Sequence, residues 1–232
     1  MPKIPVMPAL AFAAAAALIG AATLSFSARA TVLAPAARLA APAGSSGSET
    51  IVLAGGCFWG VQAVFQHVDG VTSALSGYAG GKIPHPSYQQ VSTGDTGYAE
   101  SVKVTFDPRR IGLGDILRIY FSVAHDPTEI NRQGPDEGTQ YRSEIFAADA
   151  AQAQFARGYI GELDAAKVFA APVATKVETN AAFYPAEGYH QNYATLHPGE
   201  PYIAFNDEPK IEALKRLFPS RYRDKPVLVA AD

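Results

Sequence analysis

The sequence predicts an α+β domain, a two-layer α/β sandwich. Strand and helix patterns run strand–helix–strand and then strand–helix–strand again, with further elements appended. The strand patterns are short runs of branched and aromatic residues, and the helix patterns each carry one apolar face suited to lie on a sheet. With 232 residues, 48% hydrophobic and 18% charged, the chain is too apolar for disorder and long enough to bury a core.

The folded part begins near Glu49. Thr50-Ile51-Val52-Leu53-Ala54 reads as a buried strand that Gly55-Gly56 breaks. Phe58, Val61, Phe65 and Val68 then recur at helical spacing, which places Cys57 at a strand-to-helix turn. Val71 to Gly77 suits a second strand. Gly80 to Gly97 has no periodicity and reads as a long loop of the kind that often carries function. Ser101 to Phe106 alternates as a half-buried strand, and Asp107-Pro108 ends it. Leu113, Ile116, Leu117, Tyr120 and Val123 mark an amphipathic helix, and 125–140 is a second loop. A strand over 142–147 follows, then a helix capped by Asp149 and running to about Ala165. Pro172 to Val177 reads as a strand. A last helix follows Asp207 and stops at Pro219. No internal repeat is visible.

The chain ahead of this domain has another character. Residues 1–43 hold 17 alanines and no acid. Lys3, an apolar run from Ala9 to Phe26, and Ala28-Arg29-Ala30 make 1–30 a secretory signal peptide, which implies export to the periplasm or cell envelope. The run also reaches spanning length, so an uncleaved membrane anchor is the alternative. Residues 31–48 are rich in Ala, Pro, Gly and Ser and read as a flexible tether, 49–222 as the catalytic domain and 223–232 as a C-terminal tail. Cleavage after Ala30 removes two cations and no acid, leaving a net charge of −5. It also removes Met1 and Met7, the only methionines, which suits a protein working among oxidants.

A single cysteine excludes an intramolecular disulfide, a CxxC redox pair, a multi-cysteine zinc site and an iron–sulfur cluster. No metal is expected, and a net charge of −3 gives no reason to expect nucleic acid as a partner. Cys57 lies in Gly55-Gly56-Cys57-Phe58-Trp59-Gly60. Flanking glycines leave the sulfur uncrowded, and the free N–H groups of a helix start favour thiolate over thiol. That describes an activated nucleophile beside an aromatic pocket. A buried structural cysteine, or one that pairs with another chain, is the plainer reading. A cysteine hydrolase needs a histidine base, and none of His67, His85, His125, His190 and His197 is marked as one by its neighbours. A non-enzymatic module gripping methionine-like side chains is the third alternative.

Gly55 to Gly60 resembles the signature of the peptide methionine sulfoxide reductase A family, which acts on the S epimer. The likeness continues through Gly77-Tyr78-Ala79-Gly80-Gly81, 86–91, 94–100, His125-Asp126-Pro127, 132–136, 138–143, 183–187 and 190–193. It covers roughly 50–220 and implies a ferredoxin-like core with additional strands, helices and long loops. It also implies reduction of protein-bound and free methionine S-sulfoxide through a cysteine sulfenic acid, which repairs oxidised proteins. By position, Cys57 resembles the family's nucleophile and Glu100 its acid. Tyr88 and Tyr141 resemble the hydroxyl donors, and Asp136 the aspartate of the same polar cluster. Phe58 and Trp59 resemble the walls around the substrate's S-methyl group. His190 and Glu187 are taken as substrate-binding residues that buttress the site, with surface loop residues as the alternative. The physical logic agrees with this set: a sulfoxide oxygen leaves poorly until protonated or hydrogen-bonded, so the acid must sit in a buried place that raises its pKa.

One departure has chemical weight. Many relatives carry resolving cysteines; here Ser92 stands in the stretch where some have one, and the chain after Tyr193 has none. No bound cofactor is expected, but an external thiol is: glutathione, a glutaredoxin or a thioredoxin-like donor, with a mixed disulfide as intermediate. The missing resolver favours the small thiol or glutaredoxin-like donor. The remaining expected partners are oxidised proteins and free methionine sulfoxide, for a monomer that meets a membrane only if its leader stays uncleaved.

Overall fold

Thr50 to Ala54 forms the heart of strand β1 (Glu49–Gly55), whose alternate side chains enter two different apolar clusters. The structure, a computed structural model, describes residues 31–42 and 47–230. The expected signal peptide lies outside the described residues.

Strand β1 lies between β3 (Ala99–Phe106) and β6 (Ser143–Ala147) and is antiparallel to both. Strand β2 (Val71–Ala79) pairs with the far side of β3, and β8 (Phe183–Pro185) adds to β2 at one edge. At the other edge β7 (Lys176–Thr179) runs parallel to β6. The order is β7-β6-β1-β3-β2-β8, and its inner four strands have the ferredoxin-like arrangement that the resemblance implied. Two-residue strands β4 (Arg132–Gln133) and β5 (Asp136–Glu137) make a separate small hairpin.

Ile51 and Leu53 of β1 join Val102, Val104 and Ile145 in the main core. Helices α1 (Phe58–Gln66), α3 (Leu113–Ile119) and α4 (Ala150–Ala165) cover it with Val61, Val64 and Phe65, Ile116 and Leu117, and Phe155, Tyr159 and Leu163. The other sheet face carries a smaller cluster of Ala54, Ala79, Ala99 and Phe146, as side-chain alternation along a strand requires. Asp149 caps α4 by accepting the Gln152 amide at 2.8 Å. The helix expected to run through Val123 stops being α-helical at Ile119 and widens to π turns over Tyr120–Ala124. The loop expected over 80–97 contains the four-residue helix α2 (Tyr88–Val91), started by a Ser87–Gln90 capping box. The strand expected over 172–177 is shifted to Lys176–Thr179, because Val173 and Ala174 spend their amides on Asp164 and Pro127.

The tether reading is corrected for residues 31–42. Ala34 is fully buried, its amide donating to Ser122 Oγ at 3.0 Å and its carbonyl accepting Arg118 Nε at 2.8 Å. Pro35 O accepts the Tyr159 hydroxyl at 2.5 Å, and the Arg38 and Leu39 amides donate to Glu162. Alanine and proline made this stretch look featureless. Small residues are also what lets a backbone lie close against α3 and α4 while its polar groups find partners. The tail is docked as well: Arg223 N–H donates to His67 O and Val227 N–H to Gln66 O, at 2.9 and 3.0 Å. No helix among the described residues is long and apolar enough to cross a membrane.

Candidate active site

The turn after β1 is shaped by close packing from outside. Gly56 has φ +85°, and a Cβ there would lie 2.5 Å from Cβ of Gln133. Glycine meets both demands, so the chain reverses and delivers Cys57 as the N-cap of α1. Gly60, one turn on, leaves room for a buried carboxylate: a Cβ there would stand 2.0 Å from Asp207 Oδ1.

Cys57 opens into a cavity of about 160 Å³ lined by Phe58, Trp59, Tyr88, Glu100, Asp136, Tyr141 and Tyr202. These residues come from the β1–α1 turn, the first residue of α2, β3, β5, the 3₁₀ turn Thr139–Tyr141, and the segment entering the π turns Ile203–Asp207. Seven residues singled out in the sequence (Cys57, Phe58, Trp59, Tyr88, Glu100, Asp136 and Tyr141) thus meet at one cavity although 84 positions separate the first from the last.

The electrostatics are those of a buried, acid-rich pocket. Glu100 is 2% exposed. Burial pushes its pKa up to about 8 against the opposing hydrogen bond from the Phe58 amide, so it holds its proton at neutral pH. Burial likewise raises Tyr88 and Tyr141, helped by the nearby Glu100 carboxyl, and both stay hydroxyl donors. The expectation of a thiolate at rest is corrected. Burial, followed by the carboxyls of Glu100 and Asp207, raises Cys57 well above an ordinary thiol and outweighs the helix-start hydrogen bond at Trp59. At rest Cys57 and Glu100 are both protonated.

His190 and Glu187, expected either to contact the substrate or buttress the site or to be surface loop residues, do not line the cavity. His190 is buried behind it and accepts the Trp59 indole N–H on Nδ1 at 3.2 Å, and its ring lies 4.4 Å from that of Tyr88. Burial lowers its pKa, so the ring is neutral and suited to accept. Glu187 accepts the Tyr88 amide at 2.8 Å and the Tyr78 hydroxyl at 2.9 Å, fixing the start of α2. Burial pushes Glu187 up, but its hydrogen bonds, the Tyr88 amide's foremost, prevail and keep it ionised. Both residues hold the walls from behind.

Three members of the site escaped the sequence reading. Tyr202 lines the cavity and donates to Asp136 Oδ2 at 2.5 Å. Asp207 is fully buried beside Lys210 Nζ at 3.1 Å. Tyr193 stacks on Trp59, with centroids 3.9 Å apart and planes 14° apart. Tyr202 follows His197-Pro198-Gly199-Glu200-Pro201, which has no periodicity to announce a site residue; Asp207 was visible only as a helix start. Among the described residues no group of three or more His, Cys, Asp or Glu side chains is arranged to hold a metal ion.

A family model described as peptide methionine sulfoxide reductase matches residues 49–222. The chain is 58% identical over 183 residues to peptide methionine sulfoxide reductase MsrA 2 of Mesorhizobium japonicum, a match covering 79% of this chain and 94% of that one. It is 46% identical to MsrA 2 of Synechocystis over 77% of this chain and 82% of the relative. Among solved structures it is similar to reduced Mxr1 from Saccharomyces cerevisiae, with a TM-score of 0.61 and 34% identity over 68% of this chain and 90% of the other. Methionine sulfoxide reductase A of Corynebacterium diphtheriae gives a TM-score of 0.57 and 35% identity over 67% and 77%.

Proposed function

Because this chain belongs to the peptide methionine sulfoxide reductase family and is an oxidoreductase that reduces methionine sulfoxide with thiols in protein repair, we propose that Cys57 and Glu100 carry its reaction, on the S epimer, at the cavity they share. The observation that carries this reading is the pairing of a buried, protonated carboxyl with the only thiol of the chain in one small cavity. The substrate's S-methyl group rests between Phe58 and Trp59, and its oxygen faces Glu100, Tyr88 and Tyr141. Glu100 gives its proton to the sulfoxide oxygen as the Cys57 sulfur bonds the substrate sulfur, and the thiol proton passes to the carboxylate that Glu100 has become, so the pair ends the step with no net loss of a proton. Charge developing on that oxygen meets donors already in place. The hydroxyl then passes to the Cys57 sulfur, the substrate sulfur recovers its electron pair as a thioether, and Cys57 is left as a sulfenic acid. One thiol forms a mixed disulfide with release of water, and a second thiol restores Cys57 and leaves as a disulfide.

We assign this second half-reaction to a small thiol such as glutathione, or to a glutaredoxin-like donor, in preference to a thioredoxin, because Cys57 has no partner cysteine in the chain. The Ala-rich leader with its Ala28-Arg29-Ala30 site supports a location in the periplasm or cell envelope.

One experiment tests the catalytic reading. The protein is mixed with stoichiometric methionine S-sulfoxide without added thiol, and Cys57 is examined by mass spectrometry and a sulfenic-specific probe. One oxygen on Cys57 and one equivalent of methionine are expected, and Cys57→Ser should give neither. An acyl-enzyme on Cys57 with an ester substrate, with no sulfenic acid, would instead establish the hydrolase alternative.

A further inference from the structure

Residue Asn192 joins the end of the chain to the wall of the cavity. It is buried and left-handed, with φ 58°, and its side chain pairs at two points with one backbone unit of the tail. The Val229 amide donates to Asn192 Oδ1 at 3.1 Å, and Asn192 Nδ2 donates to Val229 O at 2.9 Å. The same Oδ1 accepts Gln66 Nε2 at 2.8 Å, and the Asn192 amide donates to Gln62 Oε1 at 2.8 Å. Gln66 in turn accepts the Val227 amide on its carbonyl at 3.0 Å. Thus Asn192 at Val229 and Gln66 at Val227 together clip residues 227–229 to the helix that begins next to Cys57. This tail lies beyond the stretch that the family model matches, 49–222.

What flanks Asn192 gives the clip a consequence. Two residues before it, His190 receives the Trp59 indole N–H; directly after it, Tyr193 stacks on the indole face. The grip on Trp59 is therefore set by the short segment that Asn192 anchors. We propose that the C-terminal tail, through Asn192, is a positioning element for Trp59 and so sets the size of the S-alkyl pocket. This rests on the reductase reading for its substrate, since the wall that Trp59 provides is the one assigned to the S-methyl group. Buried amides bonded to one another and to the backbone have little freedom to drift; with the tail removed, Asn192 loses both of its bonds to Val229 and the segment gains room to move.

The test uses Trp59 as its own probe, because it is the only tryptophan in the chain. Three variants are compared with the full chain: deletion of 225–232, Val229→Pro, which removes the donating amide, and Asn192→Gly, which keeps the left-handed backbone and removes the clip. Val229→Ala, which keeps both backbone bonds, is the control. The readouts are Trp59 emission and the ratio of kcat/KM for ethyl against methyl sulfoxide substrates, with the thermal midpoint recorded alongside. The three variants should shift the emission and raise the ethyl-to-methyl ratio roughly tenfold, the scale of one methylene in an apolar pocket, while Val229→Ala changes neither. A fall in thermal midpoint with emission and ratio unchanged in all three overturns the proposal and leaves the tail a purely structural strap. If the full chain reduces neither sulfoxide, the reductase reading fails, and the emission alone then decides whether the tail positions Trp59.

Discussion

Glu100 Oε2 accepts the Phe58 amide at 3.0 Å, which ties the carboxyl to the residue directly after Cys57. Acid and thiol are therefore fixed relative to one another by backbone, and a change at either reports on the other.

Replacing the acid removes the proton but keeps the shape. Glu100→Gln should slow the single-turnover reduction of a methyl sulfoxide by roughly 10²-fold or more, the usual scale for a general acid. In the parent, the same rate should fall as pH rises through about 8, where Glu100 ionises. A Glu100→Gln rate equal to the parent's would remove the residue from the acid role.

Stability should move the opposite way. Glu100 holds its proton to about 8 in the folded state against 4.5 as an ordinary carboxyl. Between these values the unfolded chain releases the proton and the folded chain keeps it, so stability falls as pH rises from about 4.5 to 8. Glu100→Gln should therefore unfold at higher temperature than the parent at pH 8, by an amount that shrinks toward pH 4.5. Parallel melting curves across that range would contradict the raised carboxyl.

Tyr202 is the least obvious member of the cavity. Tyr202→Phe removes the 2.5 Å bond to Asp136 and leaves a half-buried carboxylate short of a donor. A loss of roughly tenfold in kcat/KM is expected, together with a modest fall in thermal midpoint from the unpaired carboxylate. Steady-state kinetics on the variant decide whether the hydroxyl belongs to the site or only fills it.

The second half of the cycle makes its own prediction. Turnover supported by glutathione with glutaredoxin, or by dithiothreitol, should exceed turnover with thioredoxin at equal thiol concentration. A trapped intermediate should be a mixed disulfide on Cys57. Thioredoxin-supported turnover as fast as the others would overturn the assignment drawn from the missing resolving cysteine.

The segment 31–42 is testable by stability alone. Tyr159→Phe loses the hydroxyl bond to Pro35 O and should cost about 1 kcal/mol. Deleting residues 31–42 should cost more, because it uncovers Ser122, Arg118 and Glu162 together. Denaturant midpoints of the two variants should fall in that order.

What could be read ahead of the structure was local. Gly55-Gly56 marked the turn, and Asp149 marked a helix start that its 2.8 Å cap bond now explains. Glu100 and Tyr141 were found only by likeness to a family, since spacing along a strand or loop says nothing about which side chains converge. Tyr202 and Asp207 were missed because their part in the site arises from packing against Gly60 and Asp136, far away in the chain. The segment 31–42 was misread for a related reason: its order comes from backbone bonds to Ser122 and Tyr159, and composition does not record those.

Strand β1 has a neighbour on each side, and Cys57 follows two residues after it ends. Amides paired on both flanks in the middle of a sheet open about as rarely as the whole domain unfolds. Breathing of the backbone is thus no route to the sulfur, and peroxide must use the same mouth as the substrate. On the proposed seating, a thioether or sulfoxide between Phe58 and Trp59 plugs that mouth. A thioether product held there should shield the resting thiol, so inactivation of reduced protein by peroxide should slow as the concentration of thioether rises.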